Sequence, residues 1–319
     1  MTVEAIGVDL GGTKMLVGVA DAERNVSYRA SAPSMGLEQD ELISTLEREL
    51  EAAVAARPEV GAIGLGIPCT IDRERGAAVS AVNLELADVP IRDLIGERLG
   101  LPVALDNDVN AAILAEHRFG AARGAENAVM LTVGTGIGGG LVIGGEVYRG
   151  SSGAGAELGH VVIEADGPRC QGNCPNHGCV EVLASGTAIA REGLAAAEEA
   201  PDSELGRALA GGVTLDGKEV TDAALEGDPI AVGVLEKVGR RLGVALASLA
   251  NIFDPDVIVI GGGAIAAGDL LLDPARAELA ERALPPMNQT PVAAAALGPD
   301  AGMIGAATMA MLEVGDVED

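Results

Sequence analysis

The sequence predicts an α/β protein of two domains, in which strands and helices alternate along the chain. Its 319 residues suit two domains of ordinary size and can bury a substantial core. Apolar residues make up 48% of the chain, yet it has only two Phe, two Tyr and no Trp. A core built from Val, Ile, Leu and Ala is typical of helices packed on strands. The third observation is a repeated pattern of strand, glycine turn and strand.

The repeated pattern occurs near the N-terminus and again near the middle of the chain. In "IGVDLGGTKMLVGVAD" an apolar strand ends close to Asp9 and the turn is Gly11–Thr13. In "VMLTVGTGIGGGLVIGGE" the turn is Gly134–Gly136. Glycine turns leave backbone N–H groups free to face an anion, so two of them could hold a polyphosphate from both sides. The alternative is that they are ordinary hairpins of a duplicated fold.

The segments after the first turn alternate between helix and strand. Leu42, Leu46 and Leu50 recur at helical spacing after an acidic start. The segment "GAIGLGIP" is a buried strand, a helix around Ile91 ends at Gly100, and "PVALD" is another strand. This order predicts a sheet flanked by helices.

The second half predicts a long amphipathic helix from about Asp228 to Ile252, followed by the strand in "DVIVIGGGA". A terminal helix is expected from about Gly302 to Leu312. We therefore expect an N-terminal α/β domain over residues 1–118, to which a C-terminal helix at about 302–319 returns. The second α/β domain is expected over residues 119–301.

The charge balance excludes some partners. The chain has 48 acidic and 21 basic residues, which repel nucleic acids and anionic membranes at long range. No apolar run reaches the roughly 18 residues of a membrane span, and "MTVEAIGVDL" has neither the basic region nor the apolar core of a signal peptide. We expect a soluble cytoplasmic protein that binds no nucleic acid and no membrane.

The acidic surface is also poor in lysine, with only Lys14, Lys218 and Lys237 in the whole chain. This composition favours a halophilic protein, because concentrated salt screens the repulsion between its carboxylates. The alternative is an acidic protein of an ordinary salt environment.

The glycines Gly134, Gly136 and Gly139 have the spacing of a dinucleotide-binding loop. That fingerprint requires a helix after the last glycine and an acidic residue about 20 positions later. Here Leu141–Ile143, two glycines and Glu146–Tyr148 follow, which predict a β-hairpin. The pattern therefore argues against a nicotinamide oxidoreductase.

A cysteine and histidine cluster predicts a metal site. His160, Cys170, Cys174 and Cys179 form a Cys₃His set of the type that Zn²⁺ takes in closed tetrahedral sites. The loop "DGPRCQGNCPNHGC" is rich in Gly, Pro and Asn. It has few apolar side chains that could form a core, so a bound metal ion would be needed to stabilise it. The alternative is a group of free cytosolic thiols.

Several motifs in order resemble those of the ROK family of sugar kinases and repressors. They are the Asp9–Lys14 segment "DLGGTK", "DNDVNAA" from Asp106, "GTGIGGG", "ELGH" at Glu157–His160, "GCVE" at Gly178–Glu181 and "IGGG" at Ile260–Gly263. The resemblance covers nearly the whole chain. It implies an actin-like, ribonuclease H-like two-domain fold, with sugar and ATP bound in the interdomain cleft.

Asp108 is the candidate general base for a sugar hydroxyl. It follows the strand "PVALD" and opens the helix "DVNAAILAEHRFG", so the helix dipole would keep its carboxylate ionised. The alternative is that Asp106 or Asp108 only caps the helix. The resemblance implies that Asp108 is the base and that Asn107 binds the sugar. It also implies that Glu157, His160 and Glu181 bind sugar hydroxyls, with His160 ligating zinc as well.

The phosphate donor is expected at the glycine turns. Asp9 would hold Mg²⁺ through water, and the third glycine run lets the backbone approach the adenosine. The expected ATP-binding residues are Asp9, Gly11, Gly12, Thr13, Lys14, Gly134, Thr135, Gly136, Gly261, Gly262 and Gly263.

The cysteine spacing departs from that of the family, which usually has C-x-C-x4-C where this chain has C-x3-C-x4-C. Cys174 and Cys179 align, but Cys170 needs a two-residue excursion. His177 is therefore an alternative ligand to Cys170.

These observations together predict an ATP-dependent hexokinase, first of all a glucokinase that makes glucose 6-phosphate. A kinase for fructose, N-acetylmannosamine or another hexose is the alternative within enzymes, and ADP or polyphosphate are alternative donors. A sugar-sensing ROK regulator is the alternative from another class, although those regulators carry an N-terminal DNA-binding extension and here Asp9 is nearly at the start. The resemblance also implies a homodimer or a homotetramer.

Overall fold

The computed structural model of the protein describes residues 4–81 and 84–315. The chain forms two compact units, the first from Met1–Gly124, Gly140–Ala156 and Ala296–Asp319, the second from Ala125–Gly139 and Glu157–Ala295. Both units combine strands and helices, as the predicted α/β class requires. Residues 316–319 of the expected terminal helix lie outside the described residues.

The first unit is built on a five-stranded sheet. Its elements are β1 (Glu4–Leu10), β2 (Lys14–Asp21), β3 (Val26–Pro33), α1 (Gln39–Ala56), β4 (Ala62–Ile67), β5 (Cys69–Asp72), β6 (Ala77–Ala81), β7 (Ala87–Val89), α2 (Ile91–Leu99), β8 (Val103–Asn107) and α3 (Asp108–Phe119). The strand order is β3-β2-β1-β4-β8; β1 pairs with β2 antiparallel and with β4 parallel, and β4 pairs with β8 parallel. Strands β5, β6 and β7 form a small antiparallel sheet.

The second unit contains part of a mixed sheet and most of the remaining helices. Its elements are β9 (Ala128–Val133), the start of β10 (Ile137–Ile143), α4 (Val180–Ala184), α5 (Gly186–Glu199), α6 (Glu204–Ala210), α7 (Gly217–Leu225), α8 (Pro229–Phe253), β12 (Val257–Gly261), α9 (Asp269–Arg282) and β13 (Val292–Ala294). Strand β12 runs parallel to both β9 and β13. The long helix predicted from about Asp228 to Ile252 is α8.

The end of β10 belongs to the first unit, although residues 140–156 are expected in the second domain from the sequence. Gly140 lies against α3, where a Cβ atom would come within 3.0 Å of Ile113 Cγ2. Strand β10 pairs antiparallel with β11 (Glu146–Val147) across Gly144 and Gly145, so the predicted hairpin is confirmed. The contact between Gly140 and α3 joins distant parts of the chain, so the local sequence pattern does not predict it.

The terminal helix α10 (Ala301–Glu313) packs directly on the first sheet. A Cβ atom on Gly7 would lie 2.0 Å from the carbonyl oxygen of Met303, and one on Gly64 would lie 1.8 Å from that of Ala306. The two strand glycines therefore let the helix backbone approach the sheet. The described part of α10 thus packs on the sheet of the first unit, where a returning C-terminal helix was expected.

No helix among residues 4–81 and 84–315 combines the length and apolar character needed to cross a membrane.

Candidate active site and metal centre

Two acidic side chains lie at the carboxyl edge of the first sheet. In the strand register Asp9 of β1 is opposite Gly66 of β4, and Gly66 is opposite Asp106 of β8. Because these three strands are parallel, their carboxyl ends meet at the same edge, where open α/β sheets bind their ligands. The register therefore places the predicted magnesium ligand and the predicted base turn at one edge of one sheet.

The carboxyl group of Asp9 has an altered proton affinity. Burial raises its pKa from 3.8 to about 6, and the positive charge of Lys14 partly opposes the rise. The N-terminus of α10 lies close by, because a Cβ atom on Gly302 would come within 2.6 Å of the Asp9 carboxylate. A glycine at this helix position leaves room for the acid.

Two carbonyl groups of the first glycine turn accept hydrogen bonds from the segment that follows β3. Ser34 Oγ donates to Gly11 O at 2.6 Å, and the backbone N–H groups of Ser34 and Met35 donate to Thr13 O at 3.1 and 3.3 Å. Within the described residues, the backbone N–H groups of Gly12 and Thr13 have no hydrogen-bond partner in the protein. Donors without partners beside anchored carbonyls are what an anion site requires.

Hydrogen bonds also anchor two carbonyl groups of the second glycine turn. Gly186 N donates to Gly134 O at 2.7 Å, and Thr187 Oγ1 donates to Thr135 O at 2.7 Å. Across the part of the chain that is described, the N–H groups of Thr135 and Gly136 are without a protein acceptor. In both turns, among the described residues, the N–H groups of the second and third residues are without a protein acceptor, although the carbonyl groups that accept hydrogen bonds differ between the turns.

The predicted base stands at the start of α3. Asn107 is the N-cap residue, with Oδ1 accepting from Val109 N at 2.9 Å and from Asn110 N at 3.4 Å. The alternative in which Asp106 or Asp108 caps the helix is therefore wrong, because the neighbouring Asn already does so. The cap leaves the Asn107 Nδ2 donor for other partners, and Asp108 is the first helical residue.

Asp106 is buried, and both oxygens of its carboxylate accept hydrogen bonds. Its Oδ1 accepts from Asn107 N and from Asn110 Nδ2, each at 2.8 Å. Its Oδ2 accepts from Arg149 Nε at 2.5 Å. Sequence reasoning missed Arg149, because it lies 43 positions from Asp106 and no local pattern links the two.

The four predicted metal ligands come together in the second unit. The ligand atoms of His160, Cys170, Cys174 and Cys179 all lie within 4.8 Å of one another. Cys170 Sγ is 3.6 Å from His160 Nδ1, and Cys174 Sγ is 3.9 Å from Cys179 Sγ. Tetrahedral zinc with sulfur and nitrogen ligands would separate them by about 3.4–3.8 Å. The donor set is one that Zn²⁺ takes, and the separations of 3.6 and 3.9 Å are close to these values.

The loop geometry decides between Cys170 and His177. Cys170 N donates to Asn176 O at 2.9 Å and Gly178 N donates to Pro168 O at 2.8 Å, so the longer spacing closes as a turn. His177 is exposed, and its Nδ1 lies 3.2 Å from Gly167 O instead of in the cluster. The geometry favours Cys170 as the ligand.

The other predicted sugar ligands of the second unit are Glu157 and Glu181. Glu157 precedes a short 3₁₀ turn that ends at His160, and Glu181 lies in the first turn of α4. Glu181 Oε1 is 3.9 Å from Cys170 Sγ, and Glu181 Oε2 accepts from Ile137 N at 2.9 Å. Glu181 therefore contacts both the metal loop and the residue that follows the glycine turn.

The third glycine run follows β12. Gly262 has a positive φ of 83°, and a Cβ atom on it would lie 2.5 Å from Val133 O, at the end of β9. Gly262 therefore lies next to the residue that precedes the Gly134–Gly136 turn. This contact brings together two of the sequence-predicted nucleotide segments.

Comparison with known proteins identifies relatives along almost the whole chain. The ROK family matches residues 5–313. The chain is 38% identical over 311 residues to a glucokinase of Streptomyces coelicolor, covering 96% of both proteins. It is 33% identical to a putative xylose repressor of a Caldicellulosiruptor species, covering 87% of this chain and 70% of the repressor.

The chain is also similar to a glucokinase of known structure. A ROK family glucokinase from Streptomyces griseus, crystallised with glucose and AMPPNP, is 35% identical and superposes with a TM-score of 0.83. The alignment covers 97% of this chain and 99% of that protein.

Proposed function

The chain belongs to the ROK family, and from this membership we propose that it is an ATP-dependent glucokinase, which phosphorylates glucose to glucose 6-phosphate. It has the actin-like two-domain fold of the ROK sugar kinases. The observation that carries the proposal is the near-complete match to a glucokinase in sequence and to another, bound to glucose and AMPPNP, in structure.

The glycine turns supply the contacts that phosphoryl transfer needs. Moving a γ-phosphoryl group requires positioning and charge neutralisation more than covalent chemistry. In the first unit we assign phosphate contacts to the N–H groups of Gly12 and Thr13, with Lys14 as a charged contact, and in the second unit to the N–H groups of Thr135 and Gly136. The Asp9 carboxylate would hold Mg²⁺, which neutralises phosphate charge when it is bound with ATP. The adenosine is assigned to Gly261–Gly263.

Asp108 is proposed to accept the proton of the reacting hydroxyl. As the hydroxyl oxygen forms its bond to the γ-phosphorus, the proton passes to the Asp108 carboxylate and the bond to the β-phosphate oxygen breaks, releasing ADP. The position of Asp108 at the first turn of α3 stabilises the ionised carboxylate that the step requires. Asn107 is assigned to the sugar through Nδ2, because its Oδ1 is held by the helix cap.

Glu157, His160 and Glu181 are proposed to bind sugar hydroxyls, since carboxylates accept hydrogen bonds directionally. His160 turns Nδ1 towards Cys170, so its Nε2 is the atom assigned to the sugar. Zinc, when bound by His160, Cys170, Cys174 and Cys179, would fix this loop.

The repressor relative supports a second candidate, a sugar-sensing regulator. Its identity and coverage are lower than those of the glucokinase, and the net charge of −27 opposes DNA binding. A kinase for fructose or N-acetylmannosamine is the alternative within enzymes. We also propose a homodimer or homotetramer, which light scattering after size exclusion would measure.

A coupled assay tests the activity directly. Glucose, fructose, mannose and N-acetylmannosamine would each be offered with ATP, ADP and polyphosphate. We expect ATP-dependent turnover with glucose as the best substrate. If none of the sugars were phosphorylated and the protein bound a DNA fragment in a sugar-dependent way, the regulator would be favoured instead.

A further inference from the structure

The phosphate turn of the second unit is held by side chains that no motif assigns to it. We propose that Thr187 and Glu181 position the Gly134–Gly136 turn, so that the junction between α4 and α5 sets the affinity for the phosphoryl donor. The inference rests on the proposed kinase function and deepens it, because Thr187 then becomes a positioning residue for the donor.

Hydrogen bonds to the turn fix the direction of its peptide groups. In a planar trans peptide the carbonyl and the following N–H point in opposite directions. Gly186 N holds Gly134 O at 2.7 Å, so the N–H of Thr135 points away from the α4–α5 junction. Thr187 Oγ1 holds Thr135 O at 2.7 Å, so the N–H of Gly136 also points away. The two bonds aim both donors at the same side.

The end of the turn contacts the side chain of Glu181. Glu181 Oε2 accepts from Ile137 N at 2.9 Å, which fixes the residue directly after the turn. A Cβ atom on Gly136 would come within 2.3 Å of the same oxygen. The turn therefore fits against the Glu181 carboxylate, and Gly136 is required for the close approach.

The Thr187 hydroxyl does not cap the helix in which it lies. The N-cap residue of α5 is Ser185, whose side chain accepts from Ala188 N at 3.2 Å. The Thr187 hydroxyl is not needed for that cap, and its proton is directed to Thr135 O. Thr187 is exposed, so its hydroxyl bond serves the turn rather than core packing.

The test compares Thr187→Val, which removes the hydroxyl but keeps the shape, with Thr187→Ser, which keeps the hydroxyl. Calorimetry on the full-length protein would measure the affinities for AMPPNP, inorganic tripolyphosphate, adenosine and glucose. Thr187→Val should weaken AMPPNP and tripolyphosphate about three- to tenfold, the usual range for one lost hydrogen bond. Adenosine and glucose should bind as in the wild type, and Thr187→Ser should restore the phosphate affinity.

The exposed Thr214 of the same unit gives a matched control, since Thr214→Val should leave all four affinities unchanged. Glu181→Ala should weaken both glucose and AMPPNP, in contrast to Thr187→Val. If the wild-type protein binds AMPPNP and phosphorylates a sugar but Thr187→Val has the same AMPPNP affinity as the wild type, the positioning role of Thr187 is overturned. The kinase proposal is not affected by that result. A wild-type protein that neither binds AMPPNP nor phosphorylates a sugar would overturn the kinase proposal together with it.

Discussion

The Nε atom of Arg149 lies 2.5 Å from Oδ2 of Asp106, and the other oxygen of that carboxylate holds the backbone of Asn107. Arg149 also donates from Nη1 to Val147 O at 3.0 Å, at the end of β11. The ion pair therefore connects the β11 strand to the turn that carries the predicted sugar ligand and the predicted base. Asp106 is structural support for the turn.

Removing the guanidinium should damage both the fold and the turn. Arg149→Gln leaves the buried Asp106 carboxylate without its cation, so we expect a loss of about 2–4 kcal/mol in the free energy of unfolding. Turnover should fall as well, because Asn107 loses its support. Arg29→Gln is the matched control: its pair with Asp300 is more exposed, and we expect less than about 1 kcal/mol. Denaturant unfolding would measure the free energy of unfolding of both variants. Equal losses in the two variants would contradict the supporting role of the Arg149–Asp106 pair.

Asp9→Asn should increase stability and reduce activity. The pKa of Asp9 is raised from 3.8 to about 6, so the folded protein binds more protons than the unfolded chain between these pH values. The stability contribution of Asp9 is therefore complete below pH 3.8 and is lost as pH rises through about 6. Above pH 6 the amide should stabilise the fold by about 1–3 kcal/mol. Unfolding at pH 5 and pH 8 tests this.

The activity should show the opposite dependence on the charge of Asp9. The ionised carboxylate is the form that would hold Mg²⁺, so the KM for MgATP should rise as pH falls below about 6. Asp9→Asn should have a high KM for MgATP at every pH. A wild-type KM in this variant would exclude Asp9 from the magnesium site.

The four ligands His160, Cys170, Cys174 and Cys179 predict about one zinc ion per chain. Elemental analysis of protein purified without chelator would measure the zinc content. Cys170→Ser should lose the metal and reduce thermal stability, because it removes one of four ligands. His177→Ala is the matched control and should retain the metal, since His177 lies outside the cluster. Retention by Cys170→Ser and loss by His177→Ala would reverse the ligand assignment.

The net charge of −27 predicts a strong response to salt. Potassium chloride screens the repulsion between surface carboxylates, so the thermal midpoint and the turnover should rise towards molar concentrations. An acidic protein of an ordinary environment would instead be most stable and most active in dilute buffer.

Local patterns in the sequence predicted the elements that carry the site. The glycine turns, the β10–β11 hairpin, α8 and α10 all follow from apolar periodicity and glycine spacing, which are properties of neighbouring residues. The convergence of His160 with Cys170, Cys174 and Cys179 was predicted because their spacing is short.

The contacts that hold these elements in place were not predicted. The Arg149–Asp106 pair and the Thr187–Thr135 hydrogen bond join residues 43 and 52 positions apart. Neither carries a local signal, because a surface Arg or a Thr in the first turn of a helix is common without a distant partner. The choice of Asn107 as the cap likewise depends on which of three adjacent polar residues faces the helix N–H groups.

The steady-state turnover of Asp108→Asn, measured as ATP-dependent formation of glucose 6-phosphate, tests the central claim most directly. The amide keeps the size of the side chain but accepts no proton, so kcat should fall by on the order of a hundredfold or more. Glucose affinity, measured by calorimetry in parallel, should stay close to that of the wild type. A variant that forms glucose 6-phosphate near the wild-type rate would contradict the assignment of Asp108 as the base.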